Sequence, residues 1–209
     1  MLQLDKKCET FLAEQAAQDS AHDLLHTKRV VAYAKKLLKN LSADREIVLA
    51  AAWLHDCVVL PKNHLDRKKA SLLAGEKAAT FLRENRLPDE KVSAVVHAIE
   101  AHSFSAGIKP QTIEAKIVQD ADRLDALGAI GIARCFAVGG QLERAIYHAD
   151  DPFCKNRHPD DTHSNVDHFY TKLFRLPDTM NTENARKEAV NRVKFMKDFL
   201  KKLELEIED

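Results

Sequence analysis

An imidazole and a carboxylate stand side by side at His55-Asp56, where the apolar run AAAWL ends. A histidine suits the negative end of a helix. An aspartate does not, so Asp56 calls for a positive partner, which a metal ion would supply. Two more residues fit that need. His26, in HDLLHTKRVV, lies four residues before Val30 and so on the face that carries an apolar stripe. Asp122, in IVQDADRLDALGAIGIAR, is an acid among Val118, Leu124 and Leu127, costly on a nearly buried face unless paired or metal-bound. Taken singly, each reads more readily as a paired helix residue, since buried polar groups are ordinarily satisfied within the protein. Together they make two imidazoles and two carboxylates. That mixed set suits a divalent Mn, Mg, Fe, Co or Ni ion with positions left for water and substrate, and differs from a Cys-rich structural zinc site.

Other polar residues gather around these in the sequence. Lys62, Asn63 and Arg67 follow the His55-Asp56 pair, and Arg29 sits three residues past His26. Two carboxylates on a divalent ion leave a site near neutral, so these cations are what would attract an anionic polyphosphate. Any one of them alone is equally an ordinary solvated charge. His97 and His102 are five apart, about 140° around a regular helix, so both cannot point at one ion. His168 and Lys172, in DHFYTKLFRL, are four apart on one helix face; closing a site, capping a core and forming a dimer contact are all open to them.

The elements that must position these groups are helical. Val30, Val31, Ala34, Leu37 and Leu38 recur with a helical period, with Lys35, Lys36 and Lys39 between them. Ser42 or Asp44 caps the next segment, which runs through Ile47, Leu49, Ala51 and Trp53 to His55 and is apolar on nearly every face. A break at Leu60-Pro61-Lys62-Asn63 precedes helices at about 66–86 and 89–102, separated by Leu87-Pro88-Asp89. A long stretch, 111–139, is interrupted or closely packed at Gly128 and Gly131. Residues 148–165 read as a loop, and helices at about 166–175 and 182–206 follow. No segment alternates with period two, so the chain reads as all-α.

Composition narrows the functional classes. Lys plus Arg and Asp plus Glu both count 32, and a net charge of zero argues against an extended nucleic-acid or membrane-surface binder. The longest wholly apolar stretch, Ile47 to Leu54, is eight residues, against the roughly 18 that a membrane span needs. MLQLDKKCETFLAEQ carries acids and no apolar segment, so it does not read as a signal peptide. Four scattered cysteines without a CxxC suit free thiols in a reducing cytoplasm. A homodimer is the default assembly for such a chain.

The ordered set His26, His55-Asp56 and Asp122, each on its own helix, resembles the HD-domain metal-dependent phosphohydrolases. The likeness is greatest to a small bacterial subgroup that includes nucleotide pyrophosphohydrolases. HDLLHTKRV, WLHDCVVLPKN, AIEAHSFS, DADRLDALGAIGIAR and DHFYTKL carry it, from about residue 20 to 205. The resemblance implies an HD-domain helical bundle with a C-terminal helical extension. This would be one domain over 1–209, its metal-site core at about 20–140 and its extension at about 141–209. It makes His26, His55, Asp56 and Asp122 the ligands of a divalent metal. His26 matches the family's first ligand, and the second dipeptide, His22-Asp23, does not, although His22 shares a face with His26.

Within QDADRLD the family's ADRL places the ligand at Asp122 and leaves Asp125 to touch substrate or support the ligand. His102 matches the family's AH position, as a proton donor, a substrate contact or a ligand of a second metal, while His97 reads as structural. Relatives that act on guanosine alarmones carry acids just after the HD pair. Cys57-Val58-Val59-Leu60 offers none, which argues against that substrate. The implied reaction is hydrolysis of a (deoxy)nucleoside triphosphate to monophosphate and pyrophosphate, with the metal activating water and Lys62, Arg67 and Arg29 stabilising the developing charge. A nucleotidase, a cyclic-nucleotide phosphodiesterase and a non-catalytic nucleotide- or metal-binding regulatory module are the alternatives.

Overall fold

The computed structural model describes residues 2–14, 24–60, 66, 69–103 and 106–208. Within them the regular structure is helical, as the periodicity predicts. There are nine α-helices, short 3-10 segments and one isolated β-bridge, with no sheet. Among the described residues, no helix is long and apolar enough to cross a membrane. The four cysteines are free thiols. The chain divides into two compact units, residues 1–122 and 123–209.

The first unit is built on α3 (Arg45–Leu54). Every residue from Ile47 to Leu54 is buried, as expected of a segment apolar on all faces. Asp44 caps it, its Oδ1 accepting from the backbone N–H of Glu46 at 2.8 Å and of Ile47 at 3.4 Å. Lys91 neutralises the acids at that end, 3.0 Å from Asp44 and 2.7 Å from Glu46. Against α3 pack α1 (Leu2–Ala13), α2 (Leu24–Leu37) and α5 (Asp89–His102), and α5 pairs in turn with α4 (Ala70–Glu84). The stripe of α2 (Val30, Val31, Ala34 and Leu37) is buried, and His26 is buried with it. Helix α4 starts at Ala70, a few residues later than its sequence pattern suggests. Helix α6 (Ile113–Asp125) brings Ala115, Ile117, Val118 and Ala121 into the core.

Within the second unit, the interruption foreseen near Gly128 is a true helix break. Gly128 has φ +73°, a left-handed conformation that favours glycine, and opens α7 (Gly128–Gln141). At Gly131 a Cβ would lie 2.2 Å from the Ala126 carbonyl oxygen, so only glycine lets the chain turn this tightly. The loop that follows is closed at its base by Ala145, which donates to His163 O (3.1 Å) and accepts from the Asn165 N–H (2.9 Å). Helix α8 (Asn165–Thr171) ends earlier than the apolar pattern implies, because the chain tightens into a 3-10 segment, Leu173–Thr179, that contains Pro177. Helix α9 (Glu183–Glu208) buries Ala189, Val193, Met196 and Leu200, and Phe136, Phe169 and Phe199 pack at centroid distances of 6.2–6.5 Å.

Candidate metal centre

Three helix ends and one helix face of the first unit converge. His26 comes from the first turns of α2, and His55 and Asp56 follow directly on α3. His102 is the last residue of α5. Asp122 lies near the end of α6. His26 Nε2 is 3.3 Å from His55 Nε2, 3.6 Å from Asp56 Oδ2 and 3.5 Å from Asp122 Oδ1. His55 Nε2 is 3.4 Å from Asp56 Oδ2 and 3.9 Å from Asp122 Oδ1. His102 Nε2 stands 3.5 Å from Asp56 Oδ1, its ring edge-on to that of His55 at 4.9 Å between centroids.

These spacings test whether a cation fits. Ligand atoms about 2.1 Å from a divalent ion lie about 3.0 Å apart at right angles and about 3.4 Å apart at tetrahedral angles. His26, His55 and Asp56 can each offer one atom of a set lying within 4.8 Å of one another. The protons make the same point. His55 Nδ1 donates to Ala52 O at 2.9 Å and His102 Nδ1 donates to Ile99 O at 2.5 Å, because a carbonyl only accepts. In its neutral form each ring would therefore turn an Nε2 lone pair toward carboxylate oxygens. Acceptor facing acceptor is unfavourable unless positive charge sits among them, and a divalent ion answers that for all the groups at once. The donor set fits a metal.

Charge shifts agree. Burial disfavours imidazolium at His55, yet Asp56 and Asp122 outweigh it and hold the pKa up at about 9. Burial also disfavours the charged form of both acids. The imidazoles prevail again: His55, with hydrogen bonds from His102 and His26, holds Asp56 well below the usual carboxylate range, and Asp122 is lowered by His55, His102 and His26. The shifts favour net positive charge among the acids, whether as a proton on an imidazole or as a bound cation.

The remaining sequence candidates separate. Arg29 is half-buried on α2, one turn past His26. Lys62, Asn63 and Arg67, with His22, lie outside the described residues. Asp125 is fully buried, 2.8 Å from Arg134 Nη1 within the second unit. His97 accepts the Gln111 N–H at 2.9 Å. His168 Nδ1 is 2.6 Å from Asp161 Oδ2. Gln119 is a residue that the sequence pattern does not single out. Its buried amide donates to Ala101 O at 2.6 Å, and the one trace in sequence is a polar residue beside Ile117, Val118 and Ala121.

Comparison with known proteins decides the family. A family model of the HD domain matches residues 24–127, a span that contains all five converging residues. The chain is 36% identical to YpgQ of Bacillus subtilis (strain 168) over 196 residues, which cover 91% of this chain and 86% of that protein. The chain belongs to the HD-domain family. Among solved HD structures, B. subtilis YpgQ in complex with ADP is 32% identical with a TM-score of 0.72, covering 98% of this chain and 95% of that one. An HD-superfamily hydrolase from Bacillus thuringiensis is 34% identical with a TM-score of 0.72, over 99% and 96%. The matched span contains His55-Asp56 and begins after His22-Asp23, and the family's helical architecture is the one described above.

Proposed function

We propose that this HD-superfamily hydrolase is a divalent-metal-dependent phosphohydrolase that cleaves (deoxy)nucleoside triphosphates to monophosphate and pyrophosphate. The observation that carries the reading is the convergence of the His26 and His55 Nε2 atoms with Asp56, in a geometry that a divalent cation fits. His26, His55, Asp56 and Asp122 would hold the ion. When bound, it supplies Lewis acidity, polarising a phosphoryl oxygen and making water more acidic.

The chain's own groups do the rest. His102, its Nδ1 proton committed to Ile99 O, presents Nε2 as the atom that carries a proton to the departing oxygen. Arg29, Lys62, Asn63 and Arg67 meet the phosphates and share the negative charge that builds as the bond to phosphorus breaks. A nucleotide substrate is supported by the resemblance to nucleotide pyrophosphohydrolases and by the capture of ADP by the related YpgQ.

The test is chelator-stripped protein reloaded with Mn²⁺, Mg²⁺, Co²⁺ or Ni²⁺. It is offered nucleoside tri-, di- and monophosphates and cyclic nucleotides, with phosphate and pyrophosphate read separately. Metal-dependent pyrophosphate release from triphosphates is expected. Phosphate from monophosphates, or opening of cyclic nucleotides, would replace this reaction with a nucleotidase or phosphodiesterase. Metal and nucleotide binding without any product would make the protein a sensor.

A further inference from the structure

The last turn of a helix leaves carbonyl groups without partners along the helix, and something else must meet them. At the end of α5 two side chains do so. His102 serves Ile99 O through its own Nδ1, and Gln119 reaches across from α6 to serve Ala101 O at 2.6 Å. Ala101 is the residue bonded to His102, and Gln119 stands one turn before Asp122 on α6. One buried amide therefore joins the helix of a candidate ligand to the residue next to the candidate proton donor.

We infer that Gln119 is a positioning residue, whose amide holds the end of α5 so that His102 Nε2 stays at the metal cluster. The inference rests on the proposed role of His102 as proton donor. The residue type suits the task. A glutamine is long enough to bridge two helices, it donates through an N–H, and it is neutral. A lysine would bury a cation, and a glutamate a further anion on the helix that carries Asp122 with no proton to donate. Without this donor the Ala101 carbonyl loses a buried partner, and the last turn of α5, which carries His102, is released to fray.

The experiment compares wild type, Gln119→Met, which keeps the length and removes the donor, His102→Ala and the double variant. Gln119→Met should lower kcat on a nucleoside triphosphate about tenfold to a hundredfold, the scale that a small displacement of a reacting group produces. KM and Mn²⁺ affinity, measured by calorimetry, should stay within about twofold. In the His102→Ala background the same substitution should change kcat no further, since the group it positions is already gone. In the metal-free protein, the ring ¹⁵N resonances of His102 should move while those of His26 and His55 hold. Should Gln119→Met be insoluble, Gln119→Asn, which keeps the donor but falls short of Ala101, takes its place with the same expectations. Full multiplicativity with His102→Ala, or unmoved His102 resonances, overturns the inference. If wild type turns over no nucleotide, the proposed reaction fails, and the resonances still decide the role of Gln119.

Discussion

The Nε2 atoms of His26 and His55 face one another at 3.3 Å, both rings buried, although 29 positions separate the residues in the chain. With the His55 Nδ1 proton on Ala52 O, the His55 Nε2 atom faces His26 and the two acids, and positive charge between them would stabilise all four groups. A proton supplies it in the metal-free protein, since Asp56 and Asp122 hold the His55 pKa at about 9 against the effect of burial. A divalent ion would supply it in a metal-loaded one.

Removal of a ligand is the first prediction. His55→Ala and Asp56→Ala should each weaken Mn²⁺ binding by more than the 10- to 100-fold usual for residues behind the ligands, and should abolish turnover. Both variants should remain helical by circular dichroism, because α3 is held by its apolar residues. Wild-type metal content in either variant would disprove the assignment. Chelation of the native protein should lower its melting temperature, with Mn²⁺ restoring it.

The second prediction concerns pH. His55 has a folded pKa of about 9 against 6.5 for the free side chain. Its contribution to the metal-free fold is therefore complete below 6.5 and is lost as pH rises toward 9, by a few kcal/mol at most. The lowered pKa values of Asp56 and Asp122 act in the opposite sense, so their contribution fades only as pH falls below the ordinary carboxylate range. Metal-free protein should thus lose stability between pH 6.5 and 9 in urea titrations, and saturating Mn²⁺ should flatten that decline. Mn²⁺ affinity should rise over the same interval, because the ion displaces the His55 proton.

What the sequence made legible follows from which forces are local. Helical periodicity and the Asp44 cap are written within a few residues of each element, and so α3 and the α2 stripe were readable. The His26, His55, Asp56 and Asp122 set stands out because each polar residue lies in or at the end of an apolar stretch, and because the order of the four resembles the HD-domain pattern. Helix α1 was not anticipated, though Leu4, Cys8, Phe11 and Leu12 fall at helical spacing. A stripe so short is weak evidence alone, and its cause is a distant partner, α3. Gln119 was illegible for the same reason, since its acceptor lies 18 residues away. The switch from α8 to a 3-10 segment reflects packing around Pro177 that no period announces.

The third prediction tests that distant partner. Asp5 on α1 accepts the indole N–H of Trp53 on α3 and pairs with Lys35 of α2 at 3.1 Å, so one carboxylate ties three helices together. Asp5→Ala removes the acceptor from a nearly buried indole and should cost about 1–2 kcal/mol in urea denaturation. Trp53 is the chain's single tryptophan, so its emission reports the change directly. Unaltered emission and stability would show that α1 is held by its apolar contacts alone.

The last prediction concerns the loop of the second unit. Asp167 is wholly buried, and four donors meet it: Arg157 through Nη1 and Nη2 at 2.5 and 2.7 Å, the Ser164 hydroxyl at 2.6 Å and the Asp160 N–H at 2.6 Å. Burial opposes ionisation of this carboxyl, but Arg157, Ser164 and Asp160 prevail and hold its pKa far below the ordinary range. Its contribution is therefore present at neutral pH and is lost only as pH falls through the acid range. Asp167→Ala leaves the part-exposed Arg157 guanidinium without its forked partner and should destabilise the protein by about 1–3 kcal/mol, the scale for losing hydrogen bonds to a charged group. Arg157→Lys, with Asp167 in place, should keep only part of that contribution, since an ammonium cannot make the paired N–H contacts. Limited proteolysis gives the second readout. Cleavage within residues 146–163 should quicken in Asp167→Ala at neutral pH, and unchanged cleavage would mean that the Ala145 closure at the base holds the loop by itself.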